Sequence, residues 1–145
     1  MYIDTITLFN RKKAKGGRDT WYATMLENVN LNIDRGAVVK AYGEQSVAKV
    51  ILNVKLDGRE ICGLRYMLPK EWQRQADPTG TITFQSGENA DFFLLGEWDG
   101  DTVISDDGYG VAGFRDYMER NHDRVYEVAS VSEFSVIPHL EVTGK

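Results

Sequence analysis

Val47-Ala48-Lys49-Val50-Ile51-Leu52-Asn53-Val54-Lys55-Leu56 is the stretch that decides the fold class of this chain. It puts Val50, Leu52, Val54 and Leu56 on one face of an extended segment and Lys49, Asn53 and Lys55 on the other. Successive side chains of a strand point to opposite faces, so one side of this segment meets a core and the other meets water, as in an antiparallel sheet. Asp57-Gly58 follows at once, and a two-residue type I′ turn there would match the twist of antiparallel neighbours.

Toward the N-terminus the same period recurs. Thr5-Ile6-Thr7-Leu8-Phe9-Asn10 alternates Ile6 and Leu8 against threonines, and Thr20-Trp21-Tyr22-Ala23-Thr24-Met25-Leu26 resumes an extended aromatic pattern. The basic, Gly-containing stretch from Arg11 to Arg18 lies between them, which predicts a hairpin with a positively charged tip. Val29-Asn30-Leu31-Asn32-Ile33 alternates strictly, and Asp34-Arg35-Gly36 predicts a turn before Val38 and Val39.

Toward the C-terminus, Tyr66-Met67-Leu68 reads as a short strand stopped by Pro69, whose fixed φ suits the start of one helical turn over Pro69–Gln73. Thr81–Gln85 and Asp91–Gly96 read as a strand pair around Ser86-Gly87, with Phe92-Phe93-Leu94-Leu95 apolar enough to be buried on both sides. The acidic, Gly-rich stretch Asp99–Gly110 reads as a surface loop. Phe114, Tyr117 and Met118 then fall at i, i+3, i+4 and predict a helix between Val111 and His122, capped by Asp106 or Asp107. Val125–Val131 and Phe134–Val142 read as two final strands joined by Ser132-Glu133. The chain is therefore expected to be one mainly β domain over residues 1–145, a small antiparallel β-barrel or sandwich of about six to eight strands with one packed α-helix.

Composition narrows the function. The 145 residues, 42% of them hydrophobic, suffice for one core. With 17 basic and 22 acidic residues the net charge is −5, which weighs against a surface devoted throughout to phosphate. Cys62 is the single cysteine and Met1-Tyr2-Ile3-Asp4 lacks a secretory pattern, so a cytoplasmic setting is expected. Apolar runs as short as Phe92–Leu95 fall far below the roughly 20 residues that span a bilayer, and no membrane role is expected.

Motifs with chemical potential weaken in context. Gly108-Tyr109-Gly110-Val111-Ala112-Gly113 has the letters of G-x-G-x-x-G, yet no strong strand leads into it and Asp106 and Asp107 would repel a phosphate. Asp99, Asp101, Asp106 and Asp107 suggest a hard cation, but in the calcium-loop register that starts at Asp99 the fifth position is Val103, which has no side-chain oxygen. A zinc site drawn from His122, His139 and Cys62 has too few ligands. No nucleophile is paired with a base by a local signature, so no enzyme, cofactor, metal or small-molecule substrate is expected. Trp21, Trp72 and Trp98 with Tyr22, Phe92 and Phe93 lack the interleaved basic residues of a base-stacking face and read as core.

Charge segregation is the strongest remaining signal. Without the positive charges of Arg11, Lys12, Lys13, Lys15 and Arg18, 12 basic residues face 22 acidic ones, a balance of −10. Such a dipolar surface suits directional association. It makes the basic tip and the acidic loop carrying Asp99, Asp101, Asp106 and Asp107 the candidate partner-binding residues. Non-specific DNA contact by the tip is the natural rival, and with it an OB-like nucleic-acid-binding barrel.

Across nearly its whole length the chain resembles a loose family of tailed-bacteriophage and prophage minor capsid or head–tail connector proteins. The likeness lies in Thr5–Asn10, in Thr20-Trp21-Tyr22 with Thr24–Val29, in Tyr66-Met67-Leu68-Pro69-Lys70-Glu71-Trp72, in Asp91–Glu97 and in the ending Ile137-Pro138-His139-Leu140-Glu141-Val142-Thr143-Gly144-Lys145. The chain departs from the family's pattern at Ala90, where a glycine is common, and at Leu140, where an aromatic is. The resemblance implies a virion structural protein that is monomeric until it assembles. In the particle it would form a ring with copies of itself between portal or adaptor and tail proteins.

Overall fold

A computed structural model describes residues 2–33 and 50–145 of the chain. The described elements are, in order, β1 (Asp4–Lys12), β2 (Thr20–Asn32), β3 (Val50–Lys55), β4 (Glu60–Ile61), β5 (Leu64–Tyr66), α1 (Pro69–Arg74), β6 (Thr81–Ile82), β7 (Phe92–Leu95), β8 (Val103–Ser105), α2 (Gly113–Asn121), β9 (Val125–Phe134) and β10 (His139–Gly144), with short 3-10 turns at Gly87–Asn89 and Asp106–Tyr109. The expected turn at Asp34-Arg35-Gly36, the following Val38 and Val39, and positions 47–49 of the deciding stretch lie outside the described residues.

Six strands close on themselves in the order β1-β7-β9-β10-β3-β2 and back to β1, every pair antiparallel. The fold is a closed antiparallel β-barrel. β8 adds to the first residues of β2, and β4-β5-β6 form a separate small sheet in which β5 and β6 run parallel.

Alternation fills the barrel. Ile6 and Leu8 of β1, Val50, Leu52 and Val54 of β3, Phe93 of β7, Val128 of β9, and Leu140 and Val142 of β10 are buried together in its interior. The outward residues Phe9, Trp21, Phe92, Leu94 and Ile104 form a second cluster, closed by Phe114 and Met118 of α2. Phe92-Phe93-Leu94 is therefore buried on both faces because β7 lies between the barrel interior and the helix.

Two local devices let the wall close. β2 carries one extra residue between Ile6↔Leu26 and Asp4↔Val29, and Asn28 takes a φ of 58° at this bulge. A bulge bends and twists its strand, which carries β2 from β1 over to β3. The two strands expected at Thr20–Leu26 and Val29–Ile33 are thus one. At the other seam a Cβ on Gly144 would stand 2.8 Å from Val50 Cγ2 and 3.0 Å from Phe93 Cζ, so the strands approach there as only glycine permits.

The structure corrects several expected boundaries. The turn after β3 is Gly58-Arg59, flanked by reciprocal backbone hydrogen bonds between Asp57 and Glu60, and Gly58 alone has positive φ. That is the type II′ pattern, with glycine at the first central position. Thr81–Gln85 and Asp91–Gly96 do not pair as a hairpin: β6 lies parallel to β5, β7 lies between β1 and β9, and the Asp91 side chain takes the Gln85 N–H. The acidic loop contains β8, with Ile104 buried. The last connection is residues 135–138 rather than Ser132-Glu133, because β9 continues to Phe134 and Pro138, lacking an N–H, stands outside the ladder.

Candidate interaction surface

A buried carboxylate fixes the end of β1 where the basic segment begins. Asp91, just ahead of β7, is fully buried and accepts hydrogen bonds from Asn10 Nδ2 (2.8 Å), Arg11 N (2.8 Å), Gln85 N (2.7 Å) and Gln85 Nε2 (2.8 Å). Burial pushes its carboxyl up to about 7, while the four donors favour the ionised form and act in the other direction.

α1 ties into the same network. Pro69 starts the helix and Trp72 buries its indole beneath it. Gln73 then donates through Nε2 to the Arg11 carbonyl (2.6 Å) and to Gln85 Oε1 (2.7 Å), and its Oε1 accepts from Lys13 N (3.1 Å). Lys12 Nζ donates to the Gln73 carbonyl and stands 5.9 Å from the Trp72 ring centroid. One short helix thereby holds the root of the basic tip.

The basic residues divide into two groups. Arg11 pairs with Asp19 at 2.6 Å and lies over Trp21, Lys12 is held by α1, and Arg18 donates to the carbonyls of Gly110 and Val111 and comes within 3.9 Å of Asp107. Lys13 and Lys15 are exposed, with no anionic partner among the described residues, and so are Lys70 and Arg74 of α1. Arg59, Arg65, Arg124 and Lys145 are likewise exposed without an anionic partner among the described residues, so the tip and α1 carry part of the free positive charge.

The acidic residues divide as well. Asp106 is buried; its Oδ1 accepts from Trp21 Nε1 (2.7 Å) and from Phe114 N (3.0 Å), so it caps α2 as expected and is used inside the fold. Gly113, at a φ of 88°, passes so close that a Cβ would sit 3.1 Å from the Asp106 carboxylate, which accounts for the last glycine of the G-x-G-x-x-G letters. Asp99 and Asp101 are exposed, and Asp107 is exposed beside Arg18. The structure brings Asp107 to the basic tip, and no ion pair among the described residues joins Asp99 or Asp101 to it.

Beside α1 lies a groove of about 690 Å³ between the helix, the segment from Phe84 to Asn89, and β9. Tyr66, Leu68, Pro69, Phe84 and Val131 line it with apolar surface, and Lys70, Arg74 and Glu133 supply charge. Burial first, and then the Glu133 carboxylate, raise the Tyr66 phenol. Where β9 leaves the groove, the hairpin to β10 ends in Ser135-Val136-Ile137-Pro138, with Val136 96% and Ile137 75% exposed. The Phe134 ring stacks on His139 at 4.8 Å, and His139 Nδ1 lies 2.7 Å from the Ile137 carbonyl, so the tip is braced from within.

One family model matches this chain, over residues 1–145. The chain belongs to DUF6751, a family of unknown function. No curated protein and no solved structure matches it. In this DUF6751 chain, reading the sequence missed the groove, α1 as a positively charged wall, and the apolar hairpin tip. Pro138 was the available signal for the tip, since proline marks the end of ladder pairing. For Asp91 there was no local signal, because its four donors come from residues 10, 11 and 85.

Proposed function

We propose that this protein is a non-catalytic assembly subunit, a virion structural component of the head–tail connector type in a tailed phage or prophage. The observation that carries the reading is the solvated Val136-Ile137 tip. Leaving a branched aliphatic side chain in water forgoes about 1.5–3 kcal/mol relative to full burial, and two such groups side by side next to an apolar groove fit a protein contact. The connector assignment draws its support from the resemblance along the chain, and the assembly assignment from the tip.

The test is co-expression with the portal and tail proteins of its own genome, followed by affinity capture and electron microscopy. Capture of portal or neck assemblies by the natural chain, lost in Val136→Asp with an unchanged circular-dichroism spectrum, is the expected result. Capture of none by the natural chain, or equal capture by the variant, refutes the reading.

A second reading, an OB-like barrel that binds nucleic acid, is favoured by the exposed, unpaired Lys13, Lys15, Lys70 and Arg74. It predicts single-stranded DNA binding that falls steeply with salt and weakens in Lys13→Glu/Lys70→Glu. A gel-shift series across salt concentrations distinguishes it from the first.

A further inference from the structure

We propose that the groove beside α1 takes the hairpin tip of a second copy of this chain, and that two copies exchange tips reciprocally. This deepens the assembly reading above and rests on it. The charge and polarity of the two surfaces correspond. The distal hairpin, residues 132–141, carries Glu133 and Glu141, no lysine or arginine, and the exposed apolar pair Val136-Ile137. The groove offers apolar walls in Leu68, Pro69 and Phe84 under a rim that carries Lys70 and Arg74, two cations against its own single carboxylate, Glu133. Neither cation has an anionic partner among the described residues.

The backbone supports the same occupant. β7 pairs with β9 only over Val125–Glu127, and one further bond runs from Val128 N to the Asp91 carbonyl. Beyond that point, on its β7 side, β9 meets no strand among the described residues, and Val131 and Glu133 open onto the groove. A strand edge of this kind accepts an incoming extended segment by main-chain hydrogen bonding.

Placement sets the symmetry. Glu133 lines the groove and the next residue, Phe134, begins the tip, so donor and acceptor surfaces adjoin along β9. A two-fold axis between them satisfies both contacts at once and closes the assembly at two copies, whereas a head-to-tail contact would leave one tip and one groove free at each end until a ring closed. The dimer departs from the monomeric isolated subunit that the resemblance implies.

The experiment uses the full chain with Cys62→Ser, to remove the exposed native thiol, and with Leu68→Cys and Val136→Cys added together. A short bis-maleimide is expected to give a discrete covalent dimer, with neither single-cysteine variant producing it in comparable yield. A ladder of higher multimers, or monomer alone, overturns the exchange. Sedimentation of the natural chain at about 100 μM is expected to show a dimer, and Lys70→Glu/Arg74→Glu to weaken it at least about tenfold at low salt, or roughly 1.4 kcal/mol. A dimer unaffected by that reversal also overturns it. A monomeric natural chain that still captures portal or tail proteins would end the exchange and leave the connector assignment standing; a dimer that captures none would end the connector assignment and leave the exchange standing.

Discussion

Replacing Asp91 by Asn tests the most unusual group in the molecule. The carboxyl is fully buried and pushed up to about 7 from the ordinary value of 3.8, with burial as the main cause. The sign follows from linkage. Between those two values the folded state holds the proton and the unfolded state has released it, so this group's contribution to stability is largest below the unfolded value and declines as pH rises toward the folded one. Each pH unit inside that window is worth about 1.4 kcal/mol, so from about pH 5 to about pH 8 the natural chain should lose roughly 3 kcal/mol relative to Asp91→Asn, which cannot titrate. Urea unfolding of both proteins at several pH values gives the difference directly, with the other titrating groups common to both and cancelling. A difference that is flat, or that grows in favour of the natural chain as pH rises, refutes the reasoning. It would mean that the donors from Asn10, Arg11 and Gln85 keep the carboxylate ionised against its burial.

Three further outcomes follow from the packing. Gly144→Ala should destabilise by about 1–3 kcal/mol through overpacking, because its Cβ would press on Val50 and Phe93; the urea midpoint should fall without a change in slope. Phe114→Ala should cost about 3–5 kcal/mol, since that ring closes the outer cluster against Phe9, Phe92 and Trp98, and the near-ultraviolet signal of the tryptophans should weaken with it. Val136→Asp should change stability by no more than about 0.5 kcal/mol, as expected for a side chain 96% exposed; a larger loss would place Val136 inside the fold rather than on a contact surface.

The barrel was legible in the sequence wherever one face of a strand is wet. Val50, Leu52 and Val54 against Asn53 and Lys55 give a period-2 pattern that needs no tertiary knowledge, and Ile6 and Leu8 against Thr7 give the same pattern although Thr7 is itself buried. The reading weakened where tertiary contacts replaced ladder pairing. Thr83 and Gln85 look like strand residues, yet the Thr83 carbonyl accepts from Asn10 Nδ2 and Gln85 bonds to Asp91, so the segment serves a side-chain network instead of a hairpin. The hairpin tip was obscured by composition: Ser132-Glu133 resembles a turn more than Val136-Ile137 does, and a connection built from two branched aliphatics contradicts the rule that loops are polar. Of the candidate site residues, Lys13, Lys15, Asp99 and Asp101 lie free at the surface, whereas Arg11, Lys12, Arg18 and Asp106 hold the fold together. Formal charge alone does not separate these groups, because the separation depends on partners distant in sequence such as Gln73, Gly110 and Trp21.

Closing the barrel is what gives the β9–β10 hairpin its meaning. Six strands that pair all the way round bury their main-chain polar groups within the wall, so the strand edges left for association are those that extend past it. β9 is ten residues long while its partner β7 is four, and the excess carries the strand past the end of β7 to Phe134, where, among the described residues, only β10 flanks it. The same excess forms one side of the groove, and α1, fastened through Gln73 to Arg11 and Gln85, forms another. The groove walls thus share the Asp91 network, α1 through Gln73 and Gln85 and β9 through the bond from Val128 N to the Asp91 carbonyl, while the tip is braced by the Phe134–His139 stack. A contact with walls tied together in this way meets less opposing ordering entropy.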